Sequence, residues 1–305
     1  MRIFKLTVNT KKFFELTVEN YEQMTHKKAP YYDLDGDKTR YYAVCPSCDN
    51  PIQIYKLYDD ITRGQALHAR HLAKSVKRLA KYNQKSYLEC DLSNPQRFDK
   101  EEKHNNKGKA NEFLIIIKKY PDILYNYIRQ IAGINFSYDT FDIMLGCFMK
   151  SNGYWYTAIN KFNLPYGFLY MQTAINLYGR YLYRNSENVE EINKAIQNSK
   201  YHTVIERRIV TNAVYKREDE ISLDLYVTKH QINSNEENVE LRIVESKKQE
   251  RKIIFKKKIP VNKVDFMNDI VELKNRKSVI ETRSWMGKLQ EIVDKHLEGE
   301  DNNKK

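Results

Sequence analysis

The sequence is poor in glycine and proline and contains no long apolar run. Its 305 residues include ten glycines and seven prolines, roughly half the average usage. No two glycines are separated by a single residue and no G-x-x-x-x-G-K occurs, which excludes the glycine-rich phosphate-binding motifs of Rossmann domains and P-loop proteins. The longest apolar stretch covers only residues 113–117. A stretch of this length is too short to span a bilayer, so we expect no membrane association.

Cysteine is also scarce, and acidic residues are fewer than basic ones. The chain has four cysteines, two of them in a C-x-x-C, and its first residues lack the apolar run of a signal peptide. These features predict a reducing, cytoplasmic environment rather than a disulfide framework. The 40 acidic residues are outnumbered by 52 Lys and Arg, which gives a formal net charge of +12. This balance favours a polyanionic partner, either nucleic acid or an anionic membrane surface, and of the two we expect nucleic acid. The richness in Asn, Lys and Tyr is typical of bacterial, phage or mobile-element proteins.

The strongest chemical signal is a C-P-S-C segment that begins at Cys45 and ends at Cys48. An apolar strand runs into it and an alternating strand leaves it. This segment, over about residues 42–54, resembles the knuckle of zinc ribbons and treble clefs, in which a tight turn points two thiolates at one tetrahedral metal ion. The resemblance implies a local zinc module and no whole-chain family. It departs from the common pattern because no second C-x-x-C follows.

The missing zinc ligands are expected downstream of the knuckle. His68 and His71 are three residues apart, which would place them on one side of a helix. Cys90 follows that segment and can return to the knuckle through a strand or turn. We therefore predict a closed, structural zinc site made by Cys45, Cys48, Cys90 and one of the two histidines, with the choice between His68 and His71 left open.

A basic segment surrounds these histidines. Residues 64–82 have a helical apolar pattern, and no acidic residue occurs between Arg63 and Lys85. On a helix, most of the basic side chains would form one stripe opposite Leu72, Val76 and Leu79. The residues expected to contact a phosphate backbone are Arg63, Arg70, Lys74, Lys77, Arg78, Lys81 and Lys85. The alternative is a solvated face without a binding role.

The hydrophobic pattern changes along the chain and predicts an α+β fold. Alternation predicts short strands over 1–19, a hairpin flanked by tyrosine pairs, and a late antiparallel meander of about four strands. The predicted organisation is a zinc-knuckle module with short strands and a basic helix (1–92), a linker (93–109), a helical region (110–200), a β-meander with C-terminal helices (201–298) and a polar tail (299–305).

Two further patterns bear on nucleic-acid binding. A helix, short break and second helix are predicted over 155–175, which is similar to a helix-turn-helix, with Gln172, Asn176 and Arg180 on the second helix. A second basic cluster lies within the meander and is expected to protect a sheet edge or to extend the phosphate-binding track. Its members are Lys247, Lys248, Arg251, Lys252, Lys256, Lys257 and Lys258.

A nuclease is the main alternative function. Asp224 lies in an apolar strand pattern, and Glu245 and Lys247 form an E-x-K at the end of the next strand. This arrangement resembles the PD-(D/E)xK nucleases, although no proline precedes Asp224. The resemblance implies that Asp224 and Glu245 hold magnesium and that Lys247 is the catalytic lysine.

The leading functional hypothesis is an intracellular, zinc-stabilised nucleic-acid-binding protein, for either DNA or RNA, with no catalytic activity required. The nuclease is its first alternative. The second alternative is an interaction subunit or inhibitor whose basic segment docks on an acidic protein surface.

Overall fold

The computed structural model describes residues 1–35, 38–58, 67–88, 90, 92, 103, 106–215, 221–232, 236–248, 250–275 and 284–301. The chain divides into two compact units. The N-terminal unit comprises Met1–Arg97, Ile232–Glu237 and Asn262–Arg276, and the second unit comprises Phe98–Gln231, Asn238–Val261 and Lys277–Lys305.

The elements confirm the predicted α+β class, with strands first, helices in the middle, and a C-terminal sheet followed by terminal helices. In chain order the strands and helices are β1 (Ile3–Phe4), β2 (Phe14–Glu15), α1 (Val18–Thr25), β3 (Tyr32–Asp35), β4 (Lys38–Val44), β5 (Pro51–Tyr55), β6 (His68–His71), α2 (Gln84–Leu88), α3 (Lys107–Lys119), α4 (Pro121–Ala132), β7 (Ile134–Asn135), α5 (Tyr138–Lys150), α6 (Leu164–Tyr170), β8 (Ile175–Asn176), β9 (Tyr181–Leu182), α7 (Val189–Gln197), β10 (His202–Ile205), β11 (Arg208–Thr211), β12 (Ile221–Ile232), β13 (Glu237–Lys247), β14 (Glu250–Pro260), α8 (Asp265–Asn275) and α9 (Ser284–Asp301).

The N-terminal unit is built on an antiparallel sheet in the order β3-β4-β5-β6. Pairing of Tyr32 with Tyr41 confirms the predicted tyrosine-flanked hairpin. Side chains alternate between two faces along each strand, and the buried Ile52 and Ile54 define the inner face. That face packs on the apolar residues of β1 and α1. The hydroxyl of the fully buried Tyr21 on α1 donates a hydrogen bond of 2.7 Å to a carbonyl of β4.

The predicted helix over 64–82 is wrong where the structure describes this segment. Residues 68–71 form strand β6, and an irregular turn follows in which the backbones of Val76 and Ala80 pair. The apolar spacing that imitates a helix has another cause. Val76, Leu79 and Ala80 pack across the outer face of the sheet against Tyr42 and Val44. A strand followed by a turn that folds back on the sheet therefore produces the same i, i+4 pattern as a helix.

The second unit contains most of the long helices, as the sequence predicts for 110–200. Pro121 opens α4, where its missing N–H is not needed. The helices surround an aromatic core in which the fully buried Phe168 contacts Phe141 and Phe148. The predicted helix-turn-helix is absent, because α6 ends at Tyr170 and the chain then enters β8. Gln172, Asn176 and Arg180 consequently do not share a recognition helix.

The predicted meander is divided between two sheets of the second unit. One sheet has the order β10-β11-β9-β7 and the other has the order β14-β13-β12-β8. The short strands β7, β8 and β9 come from within the predicted helical region. β7 and β8 form sheet edges, and β9 lies between β11 and β7. Two-residue strands are too short to show an alternating pattern, which is why the sequence did not indicate them.

Most of the predicted linker 93–109 lies outside the described residues, so its role as a linker stays a prediction. Its last three residues belong to α3, which begins at Lys107. At the other end, α9 extends to Asp301, into the predicted polar tail. Among the described helices, none is both long enough and apolar enough to cross a membrane.

Candidate metal centre

The knuckle is a closed turn between β4 and β5. The backbone N–H of Cys45 donates to the carbonyl of Asn50 at 2.8 Å, and the N–H of Asp49 donates to the carbonyl of Cys45 at 3.2 Å. Asp49 adopts the left-handed conformation, with φ of 61°, which short polar side chains tolerate. Its carboxylate also pairs with the buried ammonium group of Lys5. The turn therefore holds Cys45 and Cys48 side by side, as the C-P-S-C pattern predicts.

Strand β6 brings the third ligand to this turn. His71 pairs with Ile52, so its side chain lies on the inner face of the sheet, next to the knuckle. His68 pairs with Tyr55 three residues away and therefore points to the outer face. There its ring stacks on the Tyr55 ring, with centroids 5.6 Å apart and planes 14° apart. Strand alternation thus selects His71 from the two predicted histidines.

Helix α2 brings the fourth ligand. Asn83 precedes this helix, and its side-chain oxygen accepts a hydrogen bond of 3.0 Å from the N–H of Ser86. The Tyr87 ring packs edge-on against the ring of His71, with centroids 5.1 Å apart. The N–H of Cys90 then donates to the carbonyl of Tyr87 at 3.1 Å, which turns Cys90 toward the knuckle.

The four side chains form a compact cluster whose ligand atoms all lie within 4.8 Å of one another. The Sγ atoms of Cys45 and Cys90 are 3.7 Å apart. The Nε2 atom of His71 lies 3.3 Å from Sγ of Cys48 and 3.5 Å from Sγ of Cys90. A tetrahedral ion with metal–sulfur bonds of about 2.3 Å and a metal–nitrogen bond of about 2.0–2.1 Å has sulfur–sulfur edges of about 3.8 Å and sulfur–nitrogen edges of about 3.5 Å. The cluster can therefore hold a metal ion.

Asn50 is a functional residue that the sequence analysis missed. Its side chain is fully buried, and its Nδ2 donates to Sγ of Cys48 at 3.3 Å and to the carbonyl of Asn83 at 3.0 Å. Its Oδ1 accepts from the N–H of Asn83 at 2.6 Å. One side chain thus orients a ligand sulfur and attaches the segment that carries Cys90. The available sequence signal was a polar residue at the point where the knuckle must turn into β5.

The three thiols of the cluster affect one another's ionisation. Burial, followed by hydrogen bonds with the other two thiols, raises the pKa of the Cys45 thiol well above its usual range. Hydrogen bonds from Cys45 and Cys90 hold the pKa of the Cys48 thiol far below its usual range. One of the thiols can ionise at the expense of its neighbours, because further thiolates at these distances repel each other. A divalent cation removes this repulsion and allows all three sulfurs to bind as thiolates.

Arg70 and the turn after β6, which carries most of the other predicted phosphate-contacting residues, lie on the outer side of the same sheet. Arg70 pairs with Gln53 and Gln53 pairs with Tyr42, so these three residues lie on one face of the sheet. The turn after β6 also packs on Tyr42. The exposed basic residues of this region are Arg70, Lys74, Lys77, Arg78, Lys81 and Lys85; Arg63 lies outside the described residues. We call these six residues the outer basic surface. They belong to a strand, a turn and a short helix rather than to one helical stripe.

The structure does not bring the predicted nuclease residues together. Asp224 lies on the face of β12 opposite the buried Leu223 and Leu225, and its carboxylate accepts hydrogen bonds from Ser222 and Asn176. Glu245 lies on the buried face of β13, where His202 contacts its carboxylate at 2.8 Å. Two carboxylates on opposite faces of a sheet cannot share a magnesium ion.

Lys247, the third predicted catalytic residue, is also accounted for by other contacts. Its ammonium group lies 5.4 Å from the centroid of the Tyr201 ring and 5.2 Å from that of the Tyr215 ring. Within the described residues, the cluster of Cys45, Cys48, His71 and Cys90 is the only group of three or more potential metal ligands. Cys147 lies apart from it, on α5.

Comparisons with known proteins find no match to a protein family, to a curated protein or to a solved structure. The zinc-ribbon and nuclease resemblances therefore gain no support from a family. The function has to be argued from the chemistry of the cluster and of the surface around it.

Proposed function

We propose that the N-terminal unit is a zinc-binding module in which Cys45, Cys48, His71 and Cys90 hold one structural zinc ion. The supporting observation is the agreement between the sulfur–sulfur and sulfur–nitrogen distances and the edges of a zinc tetrahedron. Thiolate and imidazole ligands suit zinc and disfavour magnesium and calcium. Four protein ligands leave no open position for a substrate, so the ion stabilises the fold and performs no chemistry.

We further propose that the outer basic surface binds the phosphate backbone of nucleic acid. Its six cationic side chains are exposed, and none forms an ion pair with a carboxylate in the part of the chain that the structure describes. Unpaired cations on one surface repel each other, and the phosphates of a polyanion neutralise them. The counterions released from the polyanion then favour binding. The guanidinium of Arg70 also lies 5.6 Å from the centroid of the partly exposed Tyr55 ring, which adds an aromatic group to the surface.

The zinc site and this surface are linked through strand β6. Arg70 and His71 are consecutive residues, so they point to opposite faces of the sheet. The bond between the metal and His71 thus fixes the strand that presents Arg70. The turn with Lys74, Lys77 and Arg78 starts immediately after this strand. Zinc removal is therefore expected to disorganise the proposed binding surface, even though the zinc ligand His71 and Arg70 point to opposite faces of the sheet.

The test is fluorescence anisotropy of labelled DNA and RNA titrated with the full chain at salt concentrations between about 50 and 200 mM. The test variant changes Lys74, Lys77, Arg78 and Lys81 to Glu. The control variant changes four other exposed residues, Lys11, Lys12, Lys118 and Lys119, to Glu and so alters the net charge equally.

We expect the test variant to lose binding and the control to retain most of it. The slope of log affinity against log salt should become shallower by about one for each phosphate group that the variant no longer binds. Equal losses in the two variants would show that net charge alone drives binding. If the unmodified protein binds no nucleic acid at low salt, the proposal fails and an acidic protein becomes the partner to test.

A further inference from the structure

A second cationic surface lies in the second unit, where the hairpin of β13 and β14 turns. In the register of these strands Ser246 pairs with Arg251 and Lys247 pairs with Glu250. The surface also includes Lys200, which precedes β10. We call Lys200, Lys247, Lys248 and Lys252 the hairpin-tip cations; Arg251 pairs with Ser246 and so lies on the other face of the hairpin. Among the described carboxylates next to the tip, Glu250 is exposed and Glu245 is buried against His202, so the described side chains there carry an excess of positive charge.

Two tyrosine rings lie among these cations. The rings of Tyr201 and Tyr215 meet edge to face, with centroids 4.9 Å apart and planes at 77°. The ammonium group of Lys247 lies at similar distances from both centroids, 5.4 and 5.2 Å. The ammonium group of Lys200 lies 5.3 Å from the centroid of Tyr201. Both rings are partly exposed, so aromatic surface and positive charge are available at the same place.

Buried hydrogen bonds hold this aromatic pair in position. The carboxylate of Glu245 accepts from the N–H of Tyr201 at 3.1 Å and contacts Ser199 and His202. The N–H of Asn212 donates to the carbonyl of Tyr201 at 2.8 Å, and the N–H of Tyr215 donates to the carbonyl of Asn212 at 2.9 Å. The backbone at both tyrosines is thus fixed before any ligand binds, which lowers the ordering cost of binding.

We propose that this tip binds single-stranded nucleic acid, with bases stacked on Tyr201 and Tyr215 and phosphates held by the hairpin-tip cations. Stacking on aromatic rings beside a cationic track is how single strands are bound without sequence readout. A duplex hides its base faces, so it can use the cations but not the rings. The inference deepens the proposed function by assigning the polymer, and it rests on nucleic acid being the ligand. It uses residues that the outer basic surface does not contain.

The first experiment compares two variants of the full chain in anisotropy titrations with a labelled oligo-dT strand and a labelled duplex of equal length. One variant changes Tyr201 and Tyr215 to Leu, which removes the rings and keeps apolar bulk. The matched control changes both to Phe, which keeps the rings. Loss of stacking is expected to lower single-strand affinity by about 5- to 100-fold for each base. The Phe control should stay within about 2-fold of the unmodified protein, as should duplex binding by the Leu variant.

The second experiment uses the unmodified protein and does not depend on how well the Leu variant folds. A single strand containing 5-iodouracil is irradiated with the protein, and the cross-linked peptides are identified by mass spectrometry. Cross-links at Tyr201 or Tyr215 are expected. Cross-links confined to other residues, such as Tyr55, would overturn the inference, and so would equal affinity of the Leu and Phe variants for the single strand.

Failure of this inference can be told apart from failure of the proposed function. If the Lys74, Lys77, Arg78 and Lys81 variant loses binding while the Leu variant binds single strands normally, only the inference about the tip is wrong. If the unmodified protein binds neither polymer, both are wrong. If single-strand affinity falls in the Leu variant alone, the tip is the main site and the outer basic surface is not.

Discussion

The two units of this chain differ in what holds their sheets together. The second unit has three strands of eleven or twelve residues beside its shorter ones, and a core of fully buried phenylalanines, among them Phe113 and Phe168. The N-terminal sheet has strands of four to seven residues, and its core includes the buried Cys45 and Cys90. Small cores bury too little apolar surface to be stable alone and often need a metal or a disulfide. Cysteine is thus a proposed metal ligand in one unit and a half-buried helix residue, Cys147, in the other.

Metal removal is expected to produce the largest difference between the units. Chelation, or the change of Cys45 and Cys48 to Ser, should unfold the N-terminal sheet, because a structural zinc ion contributes about 10–16 kcal/mol to the folding of small domains. Hydrogen exchange followed by mass spectrometry should show loss of protection in β4, β5 and β6 and retained protection in α3 to α6. Cys147→Ser is the control and should change neither unit. Full protection of β4 to β6 in chelated protein would contradict the zinc account.

A core substitution in the second unit is expected to give the opposite pattern. Phe168→Ala removes a fully buried ring that contacts Phe141 and Phe148. Loss of such a ring costs about 3–5 kcal/mol of unfolding free energy. Denaturant unfolding should show this loss, while the zinc content of the protein stays unchanged. Loss of zinc from a Phe168→Ala variant that remains folded would show that the two units are not stabilised by separate interactions.

Asn50→Ala is expected to have a smaller effect, confined to the metal site. The change removes the donor to Sγ of Cys48 and the two hydrogen bonds to Asn83. Loss of such a supporting group lowers metal affinity by about 10- to 100-fold. Competition with a chromophoric zinc chelator measures this. Asn20→Ala, in the same unit, removes an exposed hydrogen bond to the carbonyl of Glu15 and should leave zinc affinity unchanged. Equal zinc affinities of the two variants would show that Asn50 does not support the metal site.

His68→Ala is expected to have the smallest effect on metal binding. His68 lies on the outer face against Tyr55, whereas His71 lies on the inner face with the three cysteines. The zinc content of His68→Ala should match that of the unmodified protein, while His71→Ala should bind zinc more weakly. The reverse result would mean that β6 is shifted by one residue relative to β5.

Most of the fold could be predicted from local patterns in the sequence. The helices over 110–200 follow from their apolar period, and Pro121 gives the start of α4 because proline is favoured in a first turn. The knuckle is equally local, since Cys45 and Cys48 belong to one turn. The α+β class follows from the change of period after residue 201.

The remaining ligands depend on tertiary structure. The choice between His68 and His71 can be made only when β6 replaces the predicted helix, because strand alternation separates residues three apart that a helix would place together. The spacing of the apolar residues after residue 71 follows from their packing on Tyr42 and Val44. The hydrophobic period of the sequence cannot distinguish this packing from one face of a helix. The nuclease pattern likewise does not show on which face of the sheet each residue lies. The structure places Asp224 and Glu245 on opposite faces.

The most direct test of the zinc site is the X-ray absorption spectrum of the purified full chain at the zinc edge. The account predicts one zinc ion per chain, with three sulfur neighbours at about 2.3 Å and one nitrogen neighbour at about 2.0–2.1 Å. The same spectrum is expected for His68→Ala, and an altered one for His71→Ala. A first shell made only of oxygen and nitrogen, or a folded N-terminal sheet in protein without zinc, would contradict it.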